Sequence, residues 1–93
     1  MDVKHVDGIN KGKLLLYALS TCIWCKQTKA FLNNLGIGYD FIDVDVLPGK
    51  EREKTLTEIK RFNPQCSFPT LVVNGEKCVV GYNEAKIREV LGL

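Results

Sequence analysis

The stretch LLLYALSTCIWCKQTKAFL, residues 14–32, decides the reading of this chain. Its first six residues, Leu14 to Leu19, are apolar at both alternating positions, as a central β-strand covered on each side must be. Ser20 or Thr21 then offers a helix cap. Beyond them Thr28, Phe31, Leu32 and Leu35 recur at i, i+3, i+4 and i+7, one face of a helix that Gly36 and Gly38 stop. Cys22 and Cys25 fall at the strand-to-helix junction, one turn apart.

Length and composition say what that pair is not needed for. A chain of 93 residues with 45% apolar residues buries a core without staples. Thirteen basic and eleven acidic residues, mixed along the chain, leave a net charge of +2 and no basic block for nucleic acid or a membrane surface. The N-terminal stretch MDVKHVDGINKGK lacks the apolar run of a leader, and Leu14 to Leu19 is too short to cross a bilayer. These features predict a cytoplasmic, monomeric protein in a reducing compartment, where a Cys-x-x-Cys is a redox or metal candidate.

One domain is expected over residues 1–93, with residues 1–12 a loose extension that holds His5, read as an ordinary surface residue. Residues 39–46, YDFIDVDV, alternate as a second strand closed by Leu47-Pro48-Gly49. The helix KEREKTLTEIKRF follows, with Leu56, Ile59 and Phe62 inward and a stop before Pro64. PTLVV and KCVV flank Asn74-Gly75, the strongest two-residue hairpin signal. A last helix, capped by Asn83, turns Ile87, Val90 and Leu91 inward. The order is β-α-β-α-β-β-α. A right-handed crossover makes the first two strands parallel and the hairpin is antiparallel, so a four-stranded mixed sheet with helices on both faces is expected.

The chemistry follows from where the cysteines sit. Residues three apart on a helix share a face, within the roughly 4.4 to 6.8 Å Cα separation a disulfide tolerates. Unpaired N–H groups and the positive end of the helix dipole favour an anion at Cys22. Cys22 is therefore expected to attack a target disulfide and Cys25 to resolve the mixed disulfide. Lys26, four residues on from Cys22, is a candidate thiolate stabiliser.

Taken together, YALSTCIWCKQTKAFL, SFPTLVVNG and VVGYNEAKI, in this order, resemble a glutaredoxin of the thioredoxin fold, over nearly all of residues 13–93. The resemblance implies a thiol–disulfide oxidoreductase acting on protein or glutathione mixed disulfides, with glutathione as co-substrate and no tightly bound cofactor or metal. It also implies that Pro69 is cis and lies against the cysteines, with Phe68, Pro69 and Thr70 shaping the substrate groove; the residues alone show a proline at a strand start. Trp24 and Tyr82 are candidate aromatic contacts for substrate, and Gly81 and Asn83 stand where the family grips the γ-glutamyl end of glutathione.

The chain also departs from the family. Where many members have Pro-Tyr between the cysteines and a lysine three residues before them, it has Ile23-Trp24 and Leu19. The Gly-Gly-x-Asp pattern reads Val80-Gly81-Tyr82-Asn83, which thins the charge clamp for glutathione. In this the chain is similar to glutaredoxin-like hydrogen donors of ribonucleotide reductase, which draw electrons from a thioredoxin reductase type of enzyme. Rival readings are an iron–sulfur carrier and a zinc site built from Cys22, Cys25, Cys66 and Cys78. The eleven residues between Cys66 and Cys78 disfavour zinc. Cys66, three residues before Pro69, is expected near the groove, and Cys78 in the second hairpin strand. Both read as ordinary small apolar residues.

Overall fold

A computed structural model describes residues 3–93. Strand β1 (Lys4–Val6) precedes β2 (Leu14–Ala18), helix α1 (Ile23–Asn34), β3 (Tyr39–Asp43), a 3₁₀ turn (Val44–Val46), α2 (Gly49–Phe62), the hairpin β4 (Thr70–Val73) and β5 (Lys77–Val80), and α3 (Glu84–Leu91). The sheet order is β1-β3-β2-β4-β5. β2 runs parallel to β3 and antiparallel to β4, so Leu16 lies between Phe41 and Leu71. That central place is why both faces of β2 are apolar. Leu14, Leu16 and Ala18 enter a core with Phe31 and Leu32 of α1 and Ile87 and Leu91 of α3. Tyr17 enters a second core with Ile42, Val44, Val72 and Ile59 of α2, with Leu15 and Leu19 half-buried beside it. The result is the expected α/β fold, a mixed sheet with helices on both faces.

Three expectations change. The sheet has five strands, because residues 4–6 pair antiparallel with β3 instead of trailing loosely. The arm is held further on, where the Ile9 N–H donates to the Gly36 carbonyl at 2.7 Å and the Gly38 N–H donates to the Ile9 carbonyl at 3.0 Å. Gly8 makes this approach possible, since a Cβ there would lie 2.5 Å from the Gly38 nitrogen. The first two residues of the expected extension lie outside the described residues. His5 is exposed, as expected of a surface residue, with Nδ1 2.7 Å from Asp40 and Nε2 2.9 Å from Asp7.

The second strand ends at Asp43, three residues early, in the 3₁₀ turn that tucks Val44 into the core beneath α2. The hairpin turns at Asn74 (φ 55°) and Gly75 (φ 67°), where the Glu76 N–H closes on the Val73 carbonyl at 3.1 Å. Both central residues are left-handed, which is what Asn-Gly accommodates. Glu76 is one extra residue before pairing resumes at Val73 and Lys77.

Candidate active site

The third change concerns how the dithiol helix starts. Neither Ser20 nor Thr21 caps it; Cys22 does, with extended backbone (φ −82°, ψ 118°) and its own Sγ accepting the Cys25 N–H at 3.2 Å. A sulfur at an N-cap takes the place of the usual Ser or Asp oxygen and faces the unpaired amides of the first turn. Ser20 is committed elsewhere: its N–H and hydroxyl both donate to the Asp45 carboxylate, the N–H at 2.8 Å. Those bonds hold the Asp45 carboxyl below its usual range. They tie the loop leading to Cys22 onto the 3₁₀ turn, which Arg52 secures in turn by donating to the Asp45 and Leu47 carbonyls at 3.1 and 3.0 Å.

The two sulfurs differ in surroundings. Cys22 is half-buried, whereas Cys25 is fully buried among Leu32, Leu16 and Ala18. Burial pushes the Cys25 thiol up to about 12, and its hydrogen bond to Cys22 and the charge of Cys22 push the same way. A backbone bond at Leu19 and the positive charge of Lys29 pull it down. Lys29, one turn beyond Cys25, is half-buried, 3.2 Å from the Asp43 carboxylate and 4.0 Å from the centre of the Phe41 ring. Lys26, the residue picked out in the sequence, is exposed. Both lysines follow Cys22 on the helix, and packing against Asp43 and Phe41 distinguishes Lys29.

Beside the dithiol lies a groove of about 220 Å3 walled by Trp24, Phe68, Pro69, Gly81 and Tyr82. The Phe68–Pro69 peptide is cis. Trp24 stacks on Tyr82 with ring centres 6.1 Å apart and planes 17° apart, and Tyr82 meets Phe31 edge-on at 6.4 Å. Five of the seven expected substrate contacts are thus brought together. Asn83 is not among the groove walls; it caps α3, its Oδ1 accepting the Lys86 N–H at 3.0 Å. Thr70 is fully buried and offers no groove surface. Its hydroxyl donates to the Ser67 carbonyl at 2.8 Å, and β4, flanked by β2 and β5, is buried at every residue from Thr70 on.

One residue here escaped the sequence reading. Asn63, 4% exposed, directs its Nδ2 at the Ser67 carbonyl, the Ser67 hydroxyl and the Thr70 hydroxyl at 3.2, 3.0 and 3.1 Å. It braces from beneath the loop that delivers Phe68 and Pro69. The sequence shows only a helix that stops before Pro64, and nothing local marks Asn63 as a brace for residues four to seven positions on.

The spare cysteines lie on the other face of the sheet. Cys66 and Cys78 pack in the core beneath α2, their Sγ atoms 3.9 Å from the Leu56 carbonyl and 3.2 Å from the Phe62 carbonyl. Cys66, expected near the groove and read as a small apolar residue, packs beneath α2 with Phe68; its left-handed backbone (φ 53°) turns the chain before Phe68. The four sulfurs do not converge. No group of three or more His, Cys, Asp or Glu placed to hold a metal occurs among the described residues. No helix among them is long and apolar enough to cross a membrane.

A β1-β3-β2-β4-β5 mixed sheet flanked by three helices, with Cys-x-x-Cys where β2 passes into α1, is a thioredoxin-like fold. Within that class, the glutaredoxin family model matches residues 14–78, and the chain belongs to the glutaredoxin family. It is similar to the glutaredoxin of Methanosarcina mazei Go1, at 50% identity and a TM-score of 0.93, over 98% of this chain and 88% of that one. Methanoredoxin of Methanosarcina acetivorans follows at 46% identity and a TM-score of 0.89, over 92% and 90% of the two chains. A glutaredoxin-like 8.6 kDa protein of the Clostridium pasteurianum rubredoxin operon is 36% identical over 77 residues, 82% of this chain and 93% of its own.

Proposed function

We propose that this chain is a dithiol thiol–disulfide oxidoreductase in which Cys22 attacks and Cys25 resolves. The observation that carries the reading is the asymmetry of the pair: a half-exposed sulfur at the helix N-cap accepting an N–H, and a fully buried one a turn behind it. The Cys22 thiolate attacks one sulfur of a substrate disulfide, breaking that S–S bond and releasing one substrate thiolate. Cys25 then gives up its proton and attacks Cys22 Sγ, which expels the second substrate thiolate. Two electrons have moved to the substrate, and a Cys22–Cys25 disulfide remains. Trp24, Phe68, Pro69, Gly81 and Tyr82 hold the substrate, and Lys29 eases loss of the Cys25 proton.

Residues 1–93 act as one monomeric domain in the reducing cytoplasm, on disulfide-bearing proteins. Electrons return either from glutathione as co-substrate or from a thioredoxin reductase type of enzyme. Leu19 and Asn83, standing where the glutathione-dependent members carry charge, favour the second source and with it a hydrogen-donor role of the kind that serves ribonucleotide reductase. The test is paired substitution. Cys22→Ser should abolish reduction of insulin disulfides, while Cys25→Ser should accumulate a mixed disulfide at Cys22 visible by mass spectrometry. Native-rate reduction by the Cys22→Ser protein would refute the assignment.

A further inference from the structure

The groove beside Cys22 is apolar where a small, multiply charged thiol would need charges. We propose, building on the dithiol reading above, that it is shaped for an extended polypeptide whose disulfide cysteine is flanked by an aromatic or long aliphatic residue, with a basic residue a position or two further along, in preference to glutathione.

The walls argue for the apolar neighbour. Trp24 and Tyr82 form a near-parallel aromatic platform, and Phe68 and Pro69 complete the groove. Of these walls Trp24 is 58% exposed, with Ile23 beside it in the chain 65% exposed, so apolar surface is open to a partner. Rings held against one another lose little freedom when a side chain covers them, and a buried aromatic or aliphatic neighbour gains the whole of that contact.

The charges argue against glutathione, which brings two carboxylates and one ammonium. On the dithiol helix Lys26 is exposed and Lys29 is held by Asp43 and Phe41; on the Tyr82 side Arg88 lies over the Phe31 ring at 5.4 Å, and Lys86 stands 3.8 Å from Glu89. At the Tyr82 end of the groove the acidic group is Glu84, which accepts the Tyr82 hydroxyl and occupies the first turn of α3. That carboxylate already sits at the positive end of the helix, where a ligand carboxylate would have to bind. It repels an anion and attracts a cation, which is why the basic residue belongs on the partner.

Single turnover of the pre-reduced protein tests this without any recycling system. Each substrate S–S bond breaks as the Cys22–Cys25 bond forms, and the two protein thiol protons end on two substrate thiols. The probes are symmetric disulfide dimers of eight-residue peptides with Leu-Phe or Gly-Gly beside the cysteine, each with Lys or Glu two positions on, and oxidised glutathione. The Leu-Phe, Lys peptide should react about tenfold faster than its Gly-Gly counterpart and than oxidised glutathione. Replacing Lys by Glu should cost about threefold at low salt, a penalty that Glu84→Gln removes. Trp24→Ala should erase the Leu-Phe preference. Equal rates across the peptides, or glutathione reacting fastest, would overturn the substrate assignment while leaving the dithiol reading intact. Failure of every probe would overturn both.

Discussion

The two faces of the sheet each hold a pair of cysteines, and they show how far position outweighs identity. Cys22 and Cys25 stand at the end of β2 with a helix N-terminus around one sulfur and a groove beside it. Cys66 and Cys78 stand beneath α2, their sulfurs set against the Leu56 and Phe62 carbonyls. A thiol that must become a thiolate belongs at the first place, and one that only fills space at the second.

The sharpest way to break this contrast is to alkylate the native reduced protein. Cys22 should label about a hundredfold faster than Cys25, Cys66 or Cys78, measured by peptide mapping after timed quenching. Labelling of Cys66 at a comparable rate would place a reactive thiol on the wrong face. Asn63→Ala probes the brace that joins the two regions. Leaving the Thr70 and Ser67 acceptors without their buried donor should cost about 1 to 3 kcal/mol in urea unfolding. It should also loosen Phe68, raising KM for a protein disulfide more than it lowers kcat.

Lys29→Met tests the charge behind the resolving thiol. The cation lowers the Cys25 thiol from a value that burial has raised, so its removal sends that thiol higher still. Decay of the mixed disulfide should slow a few-fold at pH 8, and its alkaline limb should move to higher pH. The smallest effect belongs to Asp45. Its carboxyl lies below the ordinary 3.8, so what it adds to stability is present in full above that value and fades as pH falls through the lower, folded one. The stability difference between the native protein and Asp45→Asn should therefore shrink below pH 3.8 and stay constant above it, as read by urea unfolding across the range.

Signals local to the chain were legible in the sequence. The two-sided apolar run of β2, the Asn-Gly turn, the Asn83 cap and the dithiol at a helix start each depend on a few consecutive residues, and each stands where expected. What escaped depends on residues far apart. Residues 4–6 show no useful alternation and become a strand through the free edge of β3 and the close Gly8–Gly38 passage. The early end of β3 reflects the demand of the α2 core for Val44. Ser20 looked like a cap because it is a serine before a helix, yet Asp45, twenty-five residues away, claims it. That Lys29 bears on Cys25 could not be read without knowing how the helix packs against Asp43 and Phe41.

The matched family stretch begins at Leu14, so a boundary drawn there by likeness alone would discard β1. A fragment cut in that way would strip β3 of its antiparallel partner along Tyr39, Asp40 and Phe41. Naked margins of this kind invite a neighbouring molecule to supply the missing ribbon. Solution sizing of such a shortened form would register that as self-association, remote from the dithiol and for reasons unconnected with electron transfer.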